Sequence, residues 1–293
     1  MQKAISSSSE RSRDNAHPRG AIRLERRAHQ VRIALVRMMG AGKAHHFGGS
    51  LSAVDILTAL YFHAMHYVPG EPLHADRDRL LLSKGHAVPA QYVCLAMLGV
   101  LSEAELATLK TLGSRLQGHP DVRKTPGLEG PTGSLGQGLS FANGLAMAAR
   151  LDASPHRVYV MLGDGELNEG QVWEAAMTAA HYRLDSLTAI VDRNGLQAQG
   201  RTEDLKGLEP LGAKWAAFGW GVLEVDGHNV QAICQALDEA ASVRGRPTVL
   251  IAHTVKGKGV SFLEGRYQYH NAPLTPDELS RALAELEAEE GAR

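Results

Sequence analysis

Two short apolar runs rich in β-branched residues, Val158–Leu162 and Leu187–Val191, bracket a segment from Gln171 to Tyr182 whose apolar residues recur at helical spacing. That order is a βαβ unit, and it commits the chain to parallel strands joined by a crossover helix. An acidic turn closes each strand, Gly163-Asp164-Gly165-Glu166 after the first and Asp192-Arg193-Asn194-Gly195 after the second. In a parallel sheet both turns open at the carboxyl ends of neighbouring strands, the crevice where α/β proteins bind ligands. Asp164 and Asn194 are therefore expected to point oxygens at one small volume.

A carboxylate and an amide carbonyl are hard ligands that suit Mg²⁺ or Ca²⁺, and Mg²⁺ usually takes only one or two protein carboxylates, completing its shell with water and phosphate oxygens. The pair thus predicts half a metal cage, finished by a diphosphate. Glycines on both sides of Asp164 let backbone approach the ligand, and Asn194-Gly195 permits a positive φ. Two competing nucleotide motifs fail on the letters: a dinucleotide loop needs glycine where Asn168 stands, and the P-loop pattern is absent from the sequence. Helix and turn capping would explain a strand-end Asp or Asn taken singly, but not as readily the pair.

The phrase GDGELNEG followed by DRNG, with TGSLGQGL and the dipeptide His119-Pro120 upstream, resembles transketolase, specifically its amino-terminal, thiamine diphosphate-binding section, over about Gly20 to Leu274. The resemblance implies a three-layer α/β/α fold with a mostly parallel central sheet. It implies that Asp164, Asn194 and the backbone carbonyl of Leu196 hold Mg²⁺, with Ca²⁺ or Mn²⁺ as substitutes, on the cofactor's diphosphate. Gly163, Gly165 and Glu166 belong to the same cofactor motif, Gly133, Leu135 and Gly136 line the thiazolium and pyrimidine, and Gln199 continues the cofactor loop. Lys256 matches a lysine near the diphosphate, and His86 a histidine close to both diphosphate and substrate. His46, His119 and His270 match substrate-binding histidines, and with His86 form the expected catalytic set. At His270 the family's Trp-His-Gly-x-Pro-Leu is replaced by Tyr-His-Asn-Ala-Pro-Leu, where Asn271 can still adopt positive φ. Glu169 matches a glutamate at the subunit interface; it also suits a helix amino terminus.

Along the rest of the chain, residues 1–19 are polar and Ser-rich and are expected to form a loose tail, with residues 20–293 as one cofactor-binding domain. Helices are expected over Ile22–Met39, from Ser52 as N-cap with Asp55 in the first turn, over about Ala87–Leu98, from the Ser102/Glu105 capping box, from about Leu135, over Leu211–Phe218, and from Asn229 to Val243. A last helix starts at Thr275, with Pro276 at its first position and Glu278 completing a capping box. Further strands are expected at Leu80–Ser83, Gly221–Val225 and Thr248–His253. His45, beside His46 in the loop GKAHHFGGSLSAVD, is expected at the surface.

A formal net charge of −1 over 293 residues gives no reason to expect nucleic acid or an acidic membrane as partner. Cys94 and Cys234 lack metal spacing and sit in apolar settings, as small buried hydrophobes do. With no secretory or spanning stretch, a cytoplasmic location is expected. Transketolases take the glutamate that activates the pyrimidine from a separate domain in the opposite subunit, and after Thr248–His253 only a loop and one polar helix remain. The expectation is half an enzyme: the amino-terminal subunit of a split transketolase of carbohydrate, for instance pentose phosphate, metabolism. It would move a two-carbon ketol unit from a ketose phosphate to an aldose phosphate once joined by a carboxy-terminal, pyrimidine-binding companion in a heterotetramer of two copies of each chain. Rival readings are a split enzyme for a branched or sulfonated ketose, a deoxyxylulose-phosphate synthase-like enzyme, and a non-catalytic regulatory paralogue.

Overall fold

In the computed structural model, which describes residues 18–68 and 70–292, five strands lie side by side: β1 Arg79–Leu82, β2 Val158–Gly163, β3 Leu187–Arg193, β4 Gly221–Asp226 and β5 Thr248–His253. All pair in parallel, in the order β1-β2-β3-β5-β4. The sheet is thus wholly parallel, and its inner strands are buried on both faces, as continuous apolar runs such as Val-Tyr-Val-Met-Leu require.

Side-chain alternation divides the core in two. Leu80, Leu82, Met161 and Ile190 face a layer that includes the helices Pro18–Met39, Val54–Ala59, Val88–Met97, Val230–Ser242 and Pro276–Ala292. Leu81, Val160, Ala189 and Ile251 face the helices Gln137–Leu151, Gly170–His181 and Leu211–Ala217. The result is the three-layer arrangement expected from the sequence. Register then places the site: Gly163 lies opposite Asp192, so the turns after β2 and β3 leave the sheet side by side.

Three capping expectations hold in detail. Glu105 N donates to Ser102 Oγ at 3.3 Å while Ser102 N donates to Glu105 Oε2 at 2.9 Å. Asn229 Oδ1 accepts from Ala232 N at 3.0 Å, and Thr275 and Glu278 close the reciprocal pair at 3.2 and 2.8 Å. Both cysteines are buried and free, and no described helix is long and apolar enough to cross a membrane.

Three expectations change. The first helix begins at Pro18, inside the stretch expected as tail; residues 1–17 of that stretch lie outside the described residues. Ser52 is not an N-cap: residues Phe47–Ser52 already form a helix with His46 at its N-cap, and Ser52 is its last, buried residue. Gly48-Gly49 is a poor helix former, but here tertiary packing overrides propensity. A Cβ on Gly48 would stand 2.8 Å from Lys256 Cγ, and one on Gly49 3.0 Å from His86 Nε2, so small residues are needed where this helix meets the strand-tip loops. His45 is not at the surface: it is buried, forms an antiparallel bridge with Ala272 and meets Phe47 edge to face.

A buried polar relay joins the first helix to the loop after β5. Arg32 donates to Asp55 Oδ2 at 2.7 Å, the His228 Nδ1 proton goes to the same oxygen at 2.7 Å, and His228 Nε2 accepts from Val255 N at 2.8 Å. The backbone donor at Nε2 fixes the tautomer, leaving the ring proton on Nδ1. Burial opposes the charge on Asp55, yet Arg32 and His228 outweigh it and hold this carboxyl below its usual range. Asp55→Ala leaves Arg32 buried without its partner and is expected to lower the unfolding free energy by about 3–5 kcal/mol, read from urea denaturation.

Candidate functional site

The loops at the carboxyl ends of β1, β2, β3 and β5 surround a cleft of about 150 Å³ lined by Lys84, His86, Asp164, Asn194, Lys256 and His270, among others. Behind it lies Asp192, the sixth residue of β3 and fully buried. Its carboxylate receives the Lys84 ammonium, the Thr254 hydroxyl and, at 2.6 Å, the Ser52 hydroxyl. Burial disfavours this charge, but Lys84 and the two hydroxyls prevail and keep Asp192 below the ordinary carboxylate range. Lys84 Nζ also donates to Gly49 O at 2.9 Å.

Asp164, immediately after β2, is the first expected metal ligand. Its Oδ1 accepts from Gly165 N at 2.8 Å, and its Oδ2 from Gly195 N at 2.6 Å and Arg193 Nη1 at 3.3 Å. Burial and the neighbouring Asp192 charge raise its pKa, with those donors pulling the other way. Arg193 in turn reaches Thr202 Oγ1 at 2.6 Å, Glu203 at 2.8 Å and Glu209 at 3.0 Å, which fastens the loop carrying Asn194 and Leu196. Asn194 Oδ1 accepts from Leu196 N at 3.1 Å, a local turn that orients this loop. The two oxygen-bearing residues do reach one cleft, together with Leu196.

Glu166 also lines the cleft, but its carboxylate is occupied: Oε1 accepts from the Ser83 hydroxyl and from Gly136 N at 3.0 Å, and Oε2 from Gly163 N at 3.0 Å. It ties β1, β2 and the Gln137–Leu151 helix together, and burial raises its pKa. Gly136, with φ +86, precedes that helix; a Cβ there would come within 2.8 Å of Glu169 Cβ. Glu169 itself is exposed at the N-cap of the Gly170–His181 helix. Leu135 lines the cleft, and Gly133, at φ +124, sits against the His119 ring, so close that a Cβ would lie 2.4 Å from it. Gln199 is not brought to the cleft: it is exposed, and Gln197 stands among the lining residues instead. The loop folds back so that Gln197 N donates to Gly200 O at 2.8 Å, which turns position 199 outward.

The four histidines gather at one place. The His46 ring lies 5.0 Å from His86, 5.9 Å from His119 and 5.3 Å from His270, and His86 lies 5.2 Å from His270. Burial, then neighbouring positive groups, lowers each: His46 to about 4, His270 to about 3, His119 below its usual value and His86 well below it. Neutral imidazoles offer one donor and one acceptor each, the equipment for holding hydroxyls and passing protons.

Lys256 completes the site. Its ammonium is buried and donates to Leu196 O at 3.0 Å, Gln197 O at 3.2 Å and His270 Nδ1 at 3.1 Å. It forms no ion pair with a carboxylate among the described residues, and burial together with Lys84 lowers its pKa to about 8. A buried cation without a counter-ion is costly unless an anion joins it. The donor set therefore fits an anionic diphosphate beside a hard divalent ion. Sequence reasoning singles out Lys256 but not Lys84, Arg193, His228 or Gln197; their only signal is position at a strand end or beside one.

A parallel α/β domain that collects oxygen donors, two buried lysines and uncharged histidines at its strand tips belongs to the class that binds phosphorylated cofactors there. The family described as transketolase, thiamine diphosphate binding domain, matches residues 24–290, and the chain belongs to it, as part of a transketolase-type transferase. The chain is 45% identical over 268 residues to the 6-deoxy-6-sulfo-D-fructose transketolase subunit SqwG of Clostridium sp. (strain MSTE9), covering 92% of this chain and 98% of that one. It is 43% identical over 263 residues to an apulose-4-phosphate transketolase subunit of Phocaeicola vulgatus, covering 90% and 93%. The solved transketolase from Leishmania mexicana superposes with a TM-score of 0.85 at 34% identity, over 92% of this chain and 41% of that one.

The lowered histidines give stability a direction with pH. Folded His46 and His270 stay neutral down to about 4 and about 3, whereas the unfolded chain protonates both near 6.5. Unfolding therefore takes up protons within that window, and stability present above 6.5 is lost as pH falls toward 4. In thermal melts from pH 7 downward, the midpoint of the His46→Gln/His270→Gln double variant is expected to fall less steeply than that of the parent.

Proposed function

We propose that this chain is the diphosphate-binding subunit of a split transketolase, working with a companion chain that carries the pyrimidine-binding domain and its activating glutamate, two copies of each forming a heterotetramer. The observation that carries this reading is the meeting of Asp164, the Leu196 carbonyl and Lys256, which has no ion-paired carboxylate among the described residues, in a single cleft. Two relatives named as subunits match this chain over 98% and 93% of their own lengths, which supports the division into two chains.

Asp164, Asn194 and the carbonyl of Leu196 would hold Mg²⁺, or Mn²⁺ or Ca²⁺ in its place, against the diphosphate, while Lys256 and His86 meet the phosphate oxygens. Gly133, Leu135, Gly136, Gly163 and Gly165 keep backbone close to the rings and the diphosphate. Glu166 shapes that wall from behind. When bound, thiamine diphosphate supplies the electron sink for cleaving a ketose beside its carbonyl. His46, His86, His119 and His270 orient sugar hydroxyls and move protons at them; because the Lys256 ammonium donates to His270 Nδ1, this ring presents Nε2–H as a donor.

Glu169, at the N-cap of the Gly170–His181 helix, and the exposed Phe141 and Met177, on the paired helices Gln137–Leu151 and Gly170–His181, form a surface suited to a second subunit. The two relatives are named for a sulfonated and a phosphorylated sugar, so the substrate class is a ketose with an anionic tail, with ordinary pentose phosphates and branched or sulfonated sugars all included.

Calorimetry with thiamine diphosphate and Mg²⁺ tests the site. Asp164→Ala is expected to weaken metal-dependent cofactor binding by about a hundredfold or more while the fold persists, and unchanged tight binding would remove the assignment. Transferase activity is expected only when the companion chain is added; activity of this chain alone would overturn the split.

A further inference from the structure

Lys84 and Lys256 are both buried lysines of the cleft, yet they end differently. Lys84 meets the Asp192 carboxylate, whereas Lys256 spends its three protons on two consecutive carbonyls, Leu196 and Gln197, and on His270 Nδ1. An ammonium has three donors and no acceptor, so the hydrogen bonding of Lys256 is complete, while among the described residues no carboxylate forms an ion pair with it and Asp164 and Asp192 act on its charge only from a distance. Carbonyl oxygens turned together on one cation are the way a hard ion is held. Backbone fixes this arrangement from below: Gly257 N donates to Gly48 O at 3.0 Å, and the lysine stem lies in the space that the absent side chain of Gly48 leaves, where a Cβ would stand 2.8 Å from its Cγ. The Leu196 carbonyl so engaged is the one assigned above to the divalent ion, and a lysine and a metal cannot share it without strong repulsion.

We propose that Lys256 is a positioning residue for the metal seat. Its ammonium holds the Leu196 and Gln197 carbonyls inward in place of the divalent ion, and releases them to pair with the diphosphate when ion and cofactor arrive together. The proposal rests on the cofactor reading above. It separates two roles that share one side chain: Lys256 competes with a metal that comes alone and supports a metal that comes with diphosphate. The chain thereby favours the complex of metal and cofactor over the bare ion.

The experiment compares wild type with Lys256→Met and Lys256→Gln, the latter keeping an N–H donor without the charge. Mn²⁺ alone is titrated by electron paramagnetic resonance, and thiamine diphosphate at saturating Mg²⁺ by calorimetry, with thermal midpoints confirming the fold of each variant. Opposite signs are expected: in both variants Mn²⁺ alone binds about tenfold more tightly, and thiamine diphosphate with Mg²⁺ about tenfold more weakly. A loss of packing alone would weaken both. Mn²⁺ affinity that is unchanged or lower in Lys256→Met overturns the proposal, as does unchanged cofactor affinity. Should wild type itself fail to bind thiamine diphosphate with Mg²⁺, the cofactor reading falls, and this inference with it; wild-type binding without the sign reversal removes only the inference.

Discussion

The ion pair between Lys84 and Asp192 holds the strand tips together. Both groups are buried, and the same carboxylate takes hydroxyls from Ser52 and Thr254, so one charge joins the end of β1, the Phe47–Ser52 helix, β3 and the end of β5. A buried pair of this kind seldom adds much stability over an apolar replacement, but breaking it leaves a bare charge in the interior. Its contribution is geometric. With Asp192 fixed, Arg193 and Asn194 leave the sheet at a defined angle, and Arg193 can reach across to Asp164. Glu166 does the same on the other flank, drawing Ser83, Gly136 and Gly163 onto one carboxylate.

This framework sets the electrostatics of the cleft. Two buried ammonium groups stand near four imidazoles, and the charge of each lysine, added to burial, keeps the rings His86 and His270 uncharged. The positive character of the pocket thereby stays on the lysines and off the imidazole rings, which remain free to act as both donor and acceptor. The same residues that make the site rigid also divide labour within it.

Much of this was legible in the sequence. The β2-helix-β3 unit announced itself because strand and helix periods differ and because acidic turns stood at both strand ends. Asp164 and Asn194 follow from their places at neighbouring strand ends, whereas His46, His86, His119 and His270 follow from the resemblance to transketolase, and the structure gathers both sets at one end of the sheet. What local wording misses is interaction across distance. Lys84 and Asp192 are 108 positions apart, and Asp55 and His228 are 173 apart, so neither pair leaves a trace in any window of the sequence. Propensity misled at Phe47–Ser52, where Gly-Gly-Ser suggests a loop and close packing makes a helix. His45, which has no counterpart among the family's substrate-binding histidines and is therefore expected at the surface, is drawn inside by a backbone bridge to Ala272. In the irregular loop after β3, where side-chain direction follows no period, Gln199 turns outward and Gln197 lines the cleft.

Gly48 has a meaning beyond its helix. Its missing methyl group is the clearance in which the Lys256 stem lies, and its carbonyl is pinned by Gly257 N. A side chain there would displace the Lys256 stem, and with it the ammonium held by the Leu196 and Gln197 carbonyls. The floor beneath the lysine is thus the least forgiving place in the cleft, because any added bulk there meets the stem of Lys256 from Cγ to Cε.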